Sequence, residues 1–158
     1  MAINFGDGSV QSFSSKIIQI KKNLRSSGTT TSSGSAQDIL TMDITPKSSS
    51  STIICQLTGI GYIQSEPGGL RVRFYDNTDS NRFGTSLGGD DPLALRFDFQ
   101  SLSNGDVYSY AGITWRAMES SWGTSNKQIK AQYYSAGGTV GFLSDHAPVT
   151  YTIYEVMI

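Results

Sequence analysis

The stretch Leu93-Ala94-Leu95-Arg96-Phe97-Asp98-Phe99 decides the fold class. In an extended chain Leu93, Leu95, Phe97 and Phe99 fall on one side and Ala94, Arg96 and Asp98 on the other, whereas a helix would scatter the four apolar residues around its axis. Leu70, Val72 and Phe74 alternate with Arg71, Arg73 and Tyr75 in the same way, as do Leu40, Met42 and Ile44 with Thr41, Asp43 and Thr45. Each run predicts a strand with one face on a core and one in water. Ile53 to Ile63 is different, with Ile53, Cys55 and Leu57 on one side and Ile54 and Ile60 on the other. It predicts a strand covered on both faces, either central in its sheet or at an interface between copies.

Val107 to Met118, Ile129 to Tyr134, Thr139 to Leu143 and Val149 to Ile158 complete the set of runs. Between them stand turn sequences such as Glu66-Pro67-Gly68-Gly69, Ser103-Asn104-Gly105-Asp106 and Ala136-Gly137-Gly138, where Gly and Asn tolerate positive φ and Pro presets the first corner. This spacing predicts an all-β chain, an antiparallel β-sandwich or jelly roll of about eight or nine strands. Ser15 to Leu24 fits a helix with Ile17, Ile20 and Leu24 on one face or a strand alternating Ile18 and Ile20 with Gln19 and Lys21, and its β-branched residues favour the strand. Residues 25–37, rich in Ser, Thr and Gly, are expected to form a loop. The resulting division is an extended N-terminal arm over 1–15 and a sandwich body over 16–158.

Composition narrows the function. The 158 residues include 24 Ser and 14 Thr but only 16% charged side chains, with a net charge of -1, so the chain is polar through hydroxyls. Such a surface has no basic field to gather phosphates, which argues against nucleic acid and acidic membranes as partners. One Cys excludes an intrachain disulfide and a Cys-based zinc cluster. The first residues carry no secretory pattern, and no apolar run is long enough for a membrane-spanning helix, so synthesis in a cytoplasm is expected.

Chemistry finds little to work with. His146, the single imidazole, sits in the turn Ser144-Asp145-His146-Ala147-Pro148, and the chain has no Gly-x-Ser-x-Gly elbow. Glu66, Asp90, Asp91, Asp98, Glu119 and Glu155 could supply a glycosidase pair, but several lie in Gly-rich turns, and Asp98 is expected to pair with a neighbouring Arg. Asp76-Asn77-Thr78-Asp79-Ser80-Asn81 offers the oxygens calcium prefers, yet it departs from the EF-hand loop, and a solvated turn explains it equally well. No catalytic residue, metal or cofactor is therefore assigned. Trp115 is expected in the core, whereas Trp122, in a Ser/Gly loop, is the candidate contact for a glycan.

Three stretches carry a resemblance. Ile3-Asn4-Phe5-Gly6-Asp7-Gly8-Ser9-Val10-Gln11-Ser12 resembles a short element, of the form hydrophobic-x-Phe-x-Asp-Gly-Thr-x-Gln-Ser, that recurs in tail-fibre and other fibrous virion proteins of bacteriophages. Ser9 replaces the usual Thr and keeps its hydroxyl. The strand, Thr45-Pro46-Lys47-Ser48 turn and strand from Met42 to Ile54, and the closing strand from Thr150 to Ile158, are similar to parts of the same proteins.

The resemblance implies a virion structural protein without enzymatic activity, a head decoration or short head-fibre subunit. It would be a homotrimer joined to another virion protein, of capsid or tail, by its arm. The alternative is a tail-fibre or tail-tip module that binds a host-surface glycan. Ile3, Phe5, Val10 and Phe13 are too sparse for a core and are expected to dock on a partner surface or on neighbouring arms. Ile54 and Ile60 are the expected contacts between copies.

Overall fold

The computed structural model describes residues 2–4, 10–12, 16–64, 68–83, 95–99, 108–143 and 147–157; for 2–4, 10–12, 95–99, 108–111, 115 and 117 the description is of the backbone. Every regular element among them is a strand. In order these are β1 (Ala2–Asn4), β2 (Val10–Ser12), β3 (Lys16–Arg25), β4 (Thr29–Thr31), β5 (Gln37–Ile44), β6 (Thr52–Gln64), β7 (Gly68–Asp76), β8 (Asn81–Arg82), β9 (Leu95–Phe99), β10 (Tyr108–Ser120), β11 (Lys127–Ser135), β12 (Thr139–Leu143) and β13 (Val149–Met157). Each alternating run of the sequence is one of these strands, and the ambiguous segment before Arg25 is β3.

Two antiparallel sheets form a β-sandwich. The first has the order β3-β13-β6-β12-β4, with β10 along the remaining edge of β6, and the second has the order β5-β11-β7-β8, with β9 beside β7. β6 is the centre of the first sheet, paired with β10 along its whole length and with β13 and then β12 on its other edge. Of the arm, β1 and β2 pair with each other in a separate two-stranded sheet, Ile3 opposite Gln11.

The stretch expected to be one loop over 25–37 is interrupted by β4, which pairs with β12. Threonine favours extended backbone. Gly141, opposite Thr30, allows the close approach, because a Cβ there would collide with the Thr29 carbonyl. The Thr29 hydroxyl also meets the Tyr133 hydroxyl at 2.7 Å, tying β4 to the second sheet.

The core lies between the inner rows. Ile53, Cys55 and Leu57 of β6 and Tyr151 and Ile153 of β13 face Leu70, Val72 and Phe74 of β7 and Ile129, Ala131 and Tyr133 of β11, all fully or almost fully buried. Each large apolar side chain so covered contributes about 1.5–3 kcal/mol. Rings bridge the sheets: Phe74 stacks on Tyr151 at 5.5 Å, and Tyr133 meets Phe142 edge-on at 5.9 Å. Burial pushes the Cys55 thiol well above its ordinary pKa, and its Sγ accepts a hydrogen bond from the Tyr151 hydroxyl at 3.5 Å. β3 adds no apolar side chain to this core.

Candidate functional site

β3 is an edge strand whose alternation is turned inside out. Gln19, Lys21, Asn23 and Arg25 point towards the second sheet, and Ile17, Ile20, Lys22 and Leu24 point away. A register shift opposite Glu155 and Val156 lets Ile17 and Ile20, three apart, share the outer face. The cause lies on β5, an edge strand of the second sheet. Its only strand partner among the described residues is β11, so one row of its carbonyls has no ladder to join.

The inward side chains of β3 meet that row. Lys21 Nζ donates to the Asp43 carbonyl at 2.7 Å, Asn23 Nδ2 to Thr41 at 3.5 Å and Arg25 Nη1 to Ile39 at 3.2 Å. Gln19, its amide nitrogen turned inward, donates to the Thr45 carbonyl at 3.2 Å. Four side-chain donors thus stand in for a missing strand, as the hydrogen-bonding requirement of a sheet edge demands. With the polar alternates turned in, the apolar ones must turn out.

The outer face of the first sheet is apolar as a result. Ile20, Tyr154, Ile54 and Met118 stand side by side across β3, β13, β6 and β10. Ile17, Ile20, Leu24 and Met118 are each more than half exposed, at 53%, 57%, 52% and 57%. Ile17, Ile54, Arg116, Tyr154 and Val156 line an open groove of about 270 Å³. Hydroxyls of Thr58, Thr114 and Thr150 lie further along the same strands. The charged outward groups of the four strands are Lys22 and Arg116, both cations, and the Arg116 Nε donates to Gln56 Oε1. Together these side chains form one continuous apolar patch on the outer face.

Ile54 lies in the groove, and Ile60 lies further along β6, half-buried opposite Gly112. The structure adds Ile17, Ile20, Leu24 and Met118, which the sequence reading had not joined to them. The alternation of β3 was visible, but which of its faces turned inward was not. Ile3 and Val10 are on β1 and β2, described as backbone, and Phe5 and Phe13 lie outside the described residues. His146, Glu66, Asp90 and Asp91 also lie outside them, as do the side chains of Trp115 and Asp98.

Glu155 is the fully buried acid among the described residues, and its neighbours assign it a structural task. Its Oε1 accepts from the backbone N–H of Lys47 at 2.6 Å and of Ser48 at 3.1 Å and from the Ser51 hydroxyl at 2.8 Å. Gln19 donates to Oε2 at 3.1 Å. One carboxylate therefore joins the turn after β5, the start of β6 and β3, and holds β3 polar side inward.

The Asp76–Asn81 turn is organised by its own hydrogen bonds and by Lys127. Asp76 Oδ1 accepts from the backbone N–H of Thr78 at 2.8 Å and of Asp79 at 3.3 Å. The Lys127 ammonium stands where a cation would, paired with Asp79 and 3.7 Å from Asp76 Oδ2. Among the described residues no group of three or more His, Cys, Asp and Glu could hold a metal ion. Trp122, the glycan candidate, is half-buried: its ring meets Phe83 at 4.9 Å and faces the Lys127 ammonium at 5.6 Å. With Asp76, Asp79, Asn81, Arg82 and Glu119 it lines a polar cleft of about 110 Å³.

No family model matches the chain, and no curated protein does. Among solved structures it is similar to that of infectious bursal disease virus, Gx strain, at 14% identity and a TM-score of 0.27. That match covers 87% of this chain and 37% of the other, so the chain spans little more than a third of the protein it resembles. A likeness this slight carries no argument about function.

Proposed function

We propose that the chain is a structural component of a virus particle, a head decoration or short head-fibre subunit. It is built from identical copies, three in the reading that the phage resemblance suggests, and is joined to another virion protein, of capsid or tail, through residues 1–15. The observation that carries the reading is the inverted strand β3. An edge that turns its lysine, asparagine and arginine inward and its isoleucines and leucine outward leaves an apolar face for other protein to cover. The buried Glu155 supports the same view, since it is engaged in holding the fold and also joins two of the stretches on which the resemblance rests, the Thr45-Pro46-Lys47-Ser48 turn and the closing strand. The reading gives the chain no catalytic role and places it in the virion after synthesis in the host cytoplasm.

A second reading has one observation in its favour. The cleft beside Trp122 combines an aromatic ring with carboxylates, an amide and a guanidinium, a chemistry that suits a sugar, and it would make the chain a tail-fibre or tail-tip module for a host-surface glycan. Electron microscopy of particles labelled at residue 158 separates the two. Label over the head supports decoration, label confined to the tail supports the glycan reading, and unlabelled particles refute both.

A further inference from the structure

β3 belongs to the first sheet through its ladder and not through the core. None of its ten residues is buried, whereas Val149, Tyr151 and Ile153 of β13 beside it and Ile39 and Ile44 of β5 across from it all are. What holds β3 is polar. Nine backbone pairs join it to β13, interrupted opposite Glu155 and Val156, where Ile18 has no counterpart. Its inward side chains add bonds to the carbonyls of Asp43, Thr41 and Ile39, and Gln19 adds those to Thr45 and Glu155. Water can take the place of each partner, so the net contribution of each bond is small, and no fully buried apolar side chain resists the departure of the strand.

Both ends of the strand allow that departure. Before it, β1 and β2 pair with each other and, among the described residues, with neither sheet. After it, Ser26-Ser27-Gly28 is exposed, and the chain is fixed again from β4 onwards, where the Thr29 hydroxyl meets that of Tyr133 at 2.7 Å and the Ser33 carbonyl accepts from the Ser135 N–H at 2.9 Å. The buried carboxylate does not oppose it either. Without Gln19, Glu155 Oε1 keeps its three donors on Lys47, Ser48 and Ser51.

We infer that β3 is a strap that opens as one unit, from Lys16 to Arg25, while the other strands of both sheets stay closed. Segments without buried apolar contacts open at a lower free energy than the whole fold. Opening bares the edge of β13 and the carbonyl row of β5. It also moves the point at which the chain joins the body from Lys16 to Thr29, which adds about 45 Å of extended chain to the segment before it. An attachment through residues 1–15 would gain reach in this way, but the opening of β3 does not depend on what those residues bind.

Residue-resolved hydrogen exchange on the full chain tests this. The β3 amides that donate to β13 are expected to exchange together, at least about a hundredfold faster than the ladder amides of β6 and β11. Low urea should speed β6 and β11 but scarcely β3, whose opening exposes little surface. Ile129→Val, in the core between the sheets, should speed β6 and β11 about fivefold and leave β3 unchanged. Lys21→Ala should speed β3 about fivefold. A Lys22→Cys, Thr152→Cys variant sets two thiols directly opposite each other at mid-strand, and its oxidation should slow the β3 amides at least about tenfold, reversibly on reduction.

Protection of β3 equal to that of β6 overturns the inference. So does a response to urea or to Ile129→Val that is the same in β3 as in β6, because β3 would then leave only when the whole fold does. A rate graded from Lys16 to Arg25 overturns it as well, since that is fraying from one end, as does fast exchange that persists in the oxidised variant.

Discussion

The outer faces of the two sheets are made by the same alternation and end with opposite chemistry. On the second sheet the outward side chains satisfy one another. The Arg73 guanidinium lies over the rings of Tyr75 and Tyr134, at 5.6 and 5.7 Å, and its Nε donates to Gln132 Oε1 at 3.0 Å. Gln132 passes a hydrogen bond to Asp38 at 2.7 Å, Lys130 pairs with Asp38 at 2.9 Å, and Gln128 reaches Asp43 at 3.1 Å. Burial raises the pKa of Asp38, but hydrogen bonds from Lys130 and Gln132 and the lysine's charge hold it below the ordinary value. Such a face is at home in water. On the first sheet the outward row is Ile20, Tyr154, Ile54 and Met118, and the polar groups that could have softened it are engaged inside, on the open edge of β5. The difference shows that a strand's exposed face can be decided by what its other face has to satisfy.

Glu155 offers the most severe way to break the comparison, because it holds β3 in place. Glu155→Leu is expected to cost about 3–5 kcal/mol, since it leaves two partly buried N–H groups and a buried hydroxyl without their charged acceptor. Urea unfolding would show it, and a loss below about 1 kcal/mol would remove the clamp from the account.

Next in size is the rim of the second sheet. The hydrogen bond to Asp79, and then the charge of Asp76, raise the Lys127 pKa against an opposing effect of burial. A lysine whose folded pKa is raised stabilises the fold fully below its unfolded value of about 10.4, and that stabilisation is lost as pH climbs through the higher folded value. The urea midpoint should therefore fall above about pH 10.4 in the native chain. Lys127→Met should lower stability by about 2 kcal/mol at neutral pH and lessen that alkaline decline.

β3 itself supplies a sharper contrast of smaller size. Lys21→Ala should cost about 1 kcal/mol by freeing the Asp43 carbonyl, whereas Ile20→Ser on the same strand should change stability by less than about 0.5 kcal/mol. That order is the reverse of an ordinary edge strand, and finding Ile20 the more costly of the two would show that β3 is not inverted. The smallest effect is expected on the polar face, where Arg73→Ala should cost about 0.5–1 kcal/mol through lost contact with two tyrosines, measurable as a small shift in Tm.

Much of the body was legible. Leu70, Val72 and Phe74 are buried as their alternation predicts, and the richer run from Ile53 is the central strand of the first sheet, paired on both edges, but within one chain it is covered on its inner face alone, with Ile54 and Ile60 half-buried on the outer one. β4 was missed because Gly28, Gly34 and the serines around Thr29–Thr31 read as a flexible loop, and the pairing that orders it comes from a strand more than a hundred residues away. Of the outer apolar face, Ile54 was legible from its own strand. Ile17, Ile20 and Leu24 were not, because a period of two locates two faces without saying which is inside.

The chain's hydroxyl-rich composition, its short alternating runs and its turn residues were enough to determine an antiparallel β-sandwich, since these are local properties that every segment carries with it. The tertiary structure alone decided which face of β3 meets water. That choice depends on the unpaired carbonyls of β5 and on the Glu155 carboxylate, groups brought to β3 only when the two sheets close.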